Sequence, residues 1–323
     1  MLYYNSDCNE TNEMKILDCT IRDGGLTNDS YFSLDTVRAV YQAVCRSGID
    51  YVELGYRNSK EILSPAEYGP WRFCDEEQLR KVVEGIEPLN TKISIMQDAH
   101  MAVPKDILPK AQSVVDLIRI ATYLRDMDKA VVLARNATNR GYECTINIMA
   151  ISQEELKEIE ISLQKIESET DVQCVYIVDS FGALYPDDVH RLIEIYKKNL
   201  KNKKIGLHFH NSQQLAFANT LLGIKEEVHF IDGTLYGLGR AAGNCPIELL
   251  VGYLQNTKYD ILPLLEVIQK EILILKEEIK WGYHIPYMLT GILKKHPRKA
   301  MSWMKRSQKD DFITFYKSIT DKC

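Results

Sequence analysis

The stretch Lys15-Ile16-Leu17-Asp18-Cys19-Thr20-Ile21-Arg22-Asp23-Gly24-Gly25 decides the fold. Its first half is a short apolar run of strand type. Its second half leaves that strand through an Arg–Asp pair and a Gly–Gly turn. A doubly wound dinucleotide fold would carry G-x-G-x-x-G at this junction, and Gly24-Gly25 lacks the rest of that fingerprint. Working outward, strand candidates at 15–19, 51–55, 92–96, 116–121, 143–149, 174–179, 205–209 and 228–232 alternate with helical patterns. In 33–47, Val37, Val40, Tyr41 and Val44 follow i, i+3, i+4, i+7 spacing behind Ser33 as N-cap. Ser152-Gln153-Glu154-Glu155 reads as a capping box that opens another helix, and Pro186 stands near the start of a third. Eight such units predict an α/β fold, a (β/α)8 TIM barrel over residues 15–257. Beyond it, 258–323 reads as a C-terminal helical extension, with Leu262, Leu265, Ile268 and Ile272 on one face. Residues 1–14 read as a disordered lead-in.

Composition bounds the function classes. The 323 residues are 45% hydrophobic and 26% charged, as in an ordinary globular protein. A formal net charge of −5 implies no broad basic face and so no nucleic-acid partner. No apolar run reaches the length of a membrane helix, and the N-terminus lacks the pattern of a signal peptide. The eight cysteines form no C-x-x-C pair, which fits a reduced cytoplasm; Cys144 and Cys174 fall inside apolar runs as small hydrophobes.

In a barrel, chemistry gathers where strands end. The first strand delivers Arg22 and Asp23 there, and the seventh delivers His208-Phe209-His210-Asn211. Strand side chains alternate faces, so His208 and His210 point the same way. One carboxylate with two imidazoles makes a mixed N/O site for a divalent metal, Mn²⁺, Mg²⁺, Co²⁺ or Zn²⁺, with positions left open for substrate. After the eighth strand, residues 232–246 form a glycine-rich loop of the kind that serves as a phosphate cradle or a lid; its Asn244 offers an amide oxygen. Glu53, Asp98, His100, Asp179 and Ser180 are further rim candidates for acid or base roles.

Three segments together resemble the DRE-TIM metallolyase superfamily: Leu17-Asp18-Cys19-Thr20-Ile21-Arg22-Asp23-Gly24, His208-Phe209-His210-Asn211 and Gly237-Leu238-Gly239-Arg240-Ala241-Ala242-Gly243-Asn244. That superfamily includes 4-hydroxy-2-oxovalerate aldolases, 3-hydroxy-3-methylglutaryl-CoA lyases and the isopropylmalate, citramalate and homocitrate synthases. The resemblance covers roughly 15–255 and is nearest to the aldolases. It extends to Arg119-Ile120-Ala121-Thr122, Val178-Asp179-Ser180-Phe181-Gly182-Ala183 and Trp281-Gly282-Tyr283-His284-Ile285-Pro286-Tyr287. It implies a lyase that cleaves or forms a C–C bond of a 4-hydroxy-2-oxo acid through a pyruvate enolate. Asp23, His208 and His210 would hold the metal, most readily Mn²⁺, with Asn244 as a further ligand, and Arg22 would steady the enolate oxygen. The substrate is then a small 2-keto acid. The resemblance also implies assembly as a homodimer or as a complex with an acylating aldehyde dehydrogenase.

One position departs from that pattern. The aldolases carry a histidine base three residues after the metal-binding aspartate, where this chain has Leu26. His100, Tyr283 or Tyr287 are the replacements that position suggests. Two other readings stand beside the aldolase: an acyl-CoA-dependent Claisen-type synthase, and a non-catalytic binding subunit that has lost the base.

Overall fold

The computed structural model describes residues 14–320. Of the expected lead-in, all but Met14 therefore lies outside the described residues. Eight parallel strands close into a barrel in sequential order. They are β1 (Lys15–Asp18), β2 (Tyr51–Tyr56), β3 (Lys92–Asp98), β4 (Leu117–Thr122), β5 (Glu143–Ile148), β6 (Cys174–Asp179), β7 (Lys204–Phe209) and β8 (Phe230–Gly233). β1 closes the ring on β8 with Leu17 opposite Asp232. All eight strand candidates are present, with bounds shifted by a residue or two.

Alternation along each strand sorts side chains into an inner and an outer set. Outward residues such as Val52, Ile118, Val175 and Leu207 join the helices in the main apolar core. Inward residues stack in layers. At the bottom Leu17, Tyr51, Leu117, Cys174 and Phe230 form an apolar plug. One pleat higher stand Glu53, Arg119, Tyr176 and Asp232, all buried. Gly206 permits this layer, since a Cβ there would lie 2.7 Å from the Tyr176 ring. Arg119 in turn sits 4.4 Å over that ring.

The helix Leu34–Arg46 starts as the sequence predicts, with Ser33 Oγ accepting the Thr36 N–H at 3.0 Å and Val37, Val40, Tyr41 and Val44 buried. Pro186 opens the helix Pro186–Asn199 at its first turn. Two local expectations are corrected. The capping box at Ser152 does not form: Ile151–Gln153 is a 3₁₀ turn, and the helix Leu156–Glu169 starts after Glu155. The cause is Ala150, held in a left-handed conformation (φ 54°) with its N–H donated to Ser180 Oγ, which bends this segment across the rim. In the extension, Leu262 and Leu265 are 57% and 45% exposed, so they do not share the buried face with Ile268 and Ile272. Leu264 and Val267 are buried instead, on a helix (Leu262–Val267) that packs against Leu34–Arg46. A π turn at Ile268–Ile272 adds the residue that shifts the register.

The last three helices, Ile285–Ile292, Arg298–Met304 and Phe312–Thr320, form their own cluster of Tyr287, Ala300, Trp303, Phe315 and Ile319. That cluster closes on Ala241 and Ala242, so the extension leans on the glycine-rich loop at the C-terminal end of the barrel. Among the described residues no helix is long and apolar enough to cross a membrane. The six described cysteines, Cys144 and Cys174 among them, are free and buried.

Candidate metal centre and active site

Arg22 and Asp23 reach the barrel mouth on one short helix, Thr20–Gly24, which continues directly from β1. Asp23 is fully buried. Its Oδ2 stands 3.2 Å from His208 Nε2, 3.6 Å from His210 Nε2 and 3.3 Å from Arg22 Nη1. It accepts no well-formed hydrogen bond from any of them. The two imidazoles, one pleat apart at the end of β7, meet edge to face with centroids 5.3 Å apart. Each has its Nδ1 engaged: His208 with Asp232 Oδ2 at 2.9 Å, His210 with the Gly243 carbonyl at 3.3 Å. As donors to those oxygens, both rings turn an Nε2 lone pair toward Asp23, the arrangement of metal-ligating histidines.

Asn244 completes the cluster. Its Nδ2 donates to the Leu238 carbonyl at 3.3 Å, while its Oδ1 is buried with no hydrogen-bond partner. Gly239 makes the approach possible: a Cβ there would fall 2.1 Å from Asn244 Nδ2 and 3.5 Å from Asp23 Cγ. The glycine-rich loop is thus neither an open cradle nor a free lid, because its glycines let it pack down onto Asp23. Orphaned oxygens on Asp23 and Asn244 beside two oriented imidazoles fit a hard-to-borderline divalent cation. Cys19, His208 and Asp232 also cluster, but Asp232 already binds His208 Nδ1, and burial raises the Cys19 thiol well above its ordinary range. The Asp23 trio is the better donor set.

Beneath the trio the polar side chains close into a ring. Arg22 Nε donates to Glu53 Oε2 at 2.7 Å, and Arg119 Nη1 donates to the same oxygen at 2.9 Å. Arg119 Nη2 reaches Asp232 Oδ2 at 2.5 Å, and Asp232 holds His208, which returns to Asp23 and Arg22. With neutral imidazoles, two guanidiniums face three carboxylates, one negative charge in excess and buried. A divalent cation would reverse that sign. Burial alone would raise the Asp23 carboxyl, yet His210, Arg22 and His208 hold it well below the carboxylate range. Burial pushes His210 down to about 3, so it is a neutral ligand. His208 is raised: burial would lower it, but the adjacent carboxylates of Asp23 and Asp232 outweigh that.

Above the cluster opens a cavity of about 840 Å³ including its mouth. Arg22, His208 and His210 form its floor, and Leu26, Tyr56 and Met96 part of its wall. Of the residues picked out from sequence, the structure brings Arg22, Asp23, His208, His210 and Asn244 together. It does not bring the three suggested bases to the cavity wall. His100 turns its Nε2 to Asp126 at 2.9 Å, Tyr283 is half exposed, and Tyr287 is packed with Ala241, Ala242 and Trp303. Asp98 does line the cavity; burial raises its carboxyl above the ordinary value, against the opposing pull of the His100 N–H and Arg72. Asp179 is spent on the backbone N–H groups of Ala183 and Leu184.

Sequence reasoning missed three cavity residues, Arg72, Arg240 and His296. Arg240 donates to the Ser180 carbonyl at 2.7 Å. His296 accepts the Arg298 N–H at 3.1 Å, and burial, then Arg240, push it down to about 4. No pattern in 294–297 marks that histidine. A signal did exist for Arg119: a charge inside Leu117-Ile118-Arg119-Ile120-Ala121 has only the barrel interior to point into.

The family model described as HMGL-like matches residues 13–270. The chain belongs to the HMGL-like family. Within it, the chain is 30% identical over 248 residues to an oxaloacetate decarboxylase of Mycobacterium tuberculosis, covering 75% of this chain and 70% of that one. It is 27% identical over 258 residues to the 4-hydroxy-2-oxovalerate aldolase of Thermus thermophilus, covering 79% and 73%. Among solved structures, the N-terminal domain of a Bacteroides vulgatus protein named as an aldolase superposes with a TM-score of 0.80 at 32% identity, over 93% of this chain and 99% of that domain. The hydroxymethylglutaryl-CoA lyase of Bacillus subtilis shares the barrel at 15% identity with a TM-score of 0.66, over 83% and 94%. The lyase names of the sequence relatives support a lyase.

Proposed function

We propose that this protein is a divalent-metal-dependent aldolase that cleaves a 4-hydroxy-2-oxo acid to pyruvate and an aldehyde, or joins them. The observation that carries the reading is the convergence of Asp23, His208 and His210, with Asn244 and its orphaned oxygen close by, beside the Arg22 guanidinium, where Arg22, His208 and His210 line one cavity. Retro-aldol cleavage leaves the C3–C4 electron pair on pyruvate as an enolate, so the site must neutralise charge at the C2 oxygen. Asp23, His208 and His210 would hold a cation that, when bound, would supply Lewis acidity at that oxygen. Arg22 is fixed for the same oxygen: Glu53 anchors its Nε, which leaves the far edge of the guanidinium toward the cavity.

With Leu26 in the cavity wall, the alcohol proton needs another acceptor. Asp98 is the carboxylate in that wall and stands on the same side as Leu26, two residues beyond Met96, with which Leu26 packs. Its raised carboxyl makes it a stronger base than an ordinary aspartate. We assign it the proton of the C4 hydroxyl. Leu26 supports a second reading, β-decarboxylation of a 3-carboxy-2-oxo acid, which makes the same enolate and removes no alcohol proton. The metal-loaded protein, assayed against 4-hydroxy-2-oxo acids and oxaloacetate with pyruvate coupled to NADH oxidation, separates the two. Pyruvate from the hydroxy acids supports the aldolase, and pyruvate from oxaloacetate alone supports the decarboxylase. Pyruvate from neither counts against both and favours the binding-subunit alternative, while thiol release from acetyl-CoA with a 2-keto acid would favour the synthase.

A further inference from the structure

Arg72 stands in the cavity wall with its charge unclaimed. It ends the 3₁₀ turn Pro70–Arg72 in the loop after β2. Its guanidinium is clamped between two rings, 4.9 Å from the centroids of both Tyr56 and Tyr68. That clamp fixes the plane and leaves the N–H edge free for recognition. Among the described residues Arg72 forms no ion pair, and its buried Nε has no hydrogen-bond partner. An arginine held this way, without a carboxylate, is costly unless an anion arrives to meet it. The nearest acid in the wall, Asp98, feels its charge but forms no ion pair with it.

The placement says which end of a substrate would meet Arg72. Arg72 stacks on the Tyr56 ring, while Arg22 is held by Glu53, so the two guanidiniums are separate groups in the lining of one cavity. Leu26, Tyr56 and Met96 pack together in the lining beside Arg72, while Arg240 and His296 pair with each other. The other guanidiniums are less apt. Arg240 is tied to the Ser180 carbonyl and lies beside His210, and Arg298 is exposed.

We infer that Arg72 is a specificity-determining residue that binds a second carboxylate, carried on the C4 side of the 2-oxo acid, so that the substrates are 4-hydroxy-2-oxo dicarboxylic acids. The inference rests on the 2-oxo acid reading above and names its substrate class. The reaction balances as before: the C4 hydroxyl gives its proton to Asp98, C3–C4 breaks, its pair becomes the enolate, and C3 then takes a proton to give pyruvate. The other product is an aldehyde that keeps the second acid. A carboxylate gripped by arginine is stabilised as an anion and resists loss as carbon dioxide, so the gripped group is one that stays.

Calorimetric titration of the Mn²⁺-loaded protein with pyruvate, 2-oxovalerate and 2-oxoglutarate tests this, the last two being matched in length and differing by a terminal carboxylate. Wild-type protein should bind 2-oxoglutarate at least about tenfold more tightly than 2-oxovalerate. Arg72→Gln and Arg72→Met should erase that preference and leave pyruvate affinity within about twofold, which also shows that the variants are folded. Equal wild-type affinity for the matched pair, or a preference that survives both substitutions, overturns the inference and leaves the lyase reading standing. Failure of pyruvate itself to bind removes the lyase reading, and this inference with it. A crystal structure of the wild type with 2-oxoglutarate is independent of any variant: the distal carboxylate should lie on Arg72, and its presence on Arg240 or Arg298 would overturn the assignment.

Discussion

Asp232→Asn probes the polar ring without touching a proposed ligand. Asp232 Oδ2 serves two partners at once, His208 Nδ1 at 2.9 Å and Arg119 Nη2 at 2.5 Å. An amide oxygen in the Oδ2 position can still accept from both, with its NH₂ in the place of the unpartnered Oδ1, but it carries no negative charge. If the oxygen stays on His208, the ring keeps its orientation but loses the anion that makes Nε2 a good donor. Loss of such an outer partner typically weakens metal affinity by about 10–100-fold, which is about 1.4–2.7 kcal/mol. Arg119 loses one of two carboxylates but keeps Glu53, so the fold should lose less than the roughly 3–5 kcal/mol of a fully broken buried pair. Competition between the protein and a chelating dye for Mn²⁺ measures the first quantity, and thermal unfolding in EDTA measures the second. Wild-type Mn²⁺ affinity in the variant would refute the claim that Asp232 acts through His208.

Other outcomes follow from the same geometry. His208→Ala should leave the purified protein without bound metal by elemental analysis; full retention would remove His208 from the ligand set. Arg22→Lys should keep the metal and lose about 10²–10³ of turnover, because an ammonium can satisfy Glu53 or the enolate oxygen but lacks the fork to serve both. Asp98→Asn should cost turnover with little change in pyruvate affinity, and a KM effect alone would argue against a base. In the wild type, Asp98 must be ionised to act, and burial raises its carboxyl. Turnover should therefore fall as pH drops through a midpoint above the ordinary value of about 4, and that acid limb should vanish from the residual activity of Asp98→Asn.

Much of this was legible in the residues themselves. Eight short apolar runs that alternate with helical patterns give the barrel, because strands of a parallel sheet are buried on both faces and read as near-continuous apolar segments. Asp23 and the His208/His210 pair were readable because each sits where a strand ends. What that succession could not show is pairing across the barrel: Glu53, Arg119 and Asp232 come from β2, β4 and β8, and only closure brings them into contact. The capping box at Ser152 failed because a tertiary bond from Ala150 to Ser180 outbid a local motif. Leu262 and Leu265 misled because one π turn resets the helical phase. Arg72 and His296 lie in loops without a periodic pattern, so their arrival in the cavity depends on how those loops cross the rim.

The most direct test of the enolate chemistry needs no knowledge of the aldehyde. Pyruvate in D₂O with the metal-loaded protein should exchange its C3 protons for deuterium, read by ¹H NMR after the metal is chelated. Exchange should require both metal and the Arg22 guanidinium, so that EDTA or Arg22→Lys reduces it to the rate of free metal alone. Wild-type protein that binds metal and pyruvate yet exchanges no faster than that control would contradict the account.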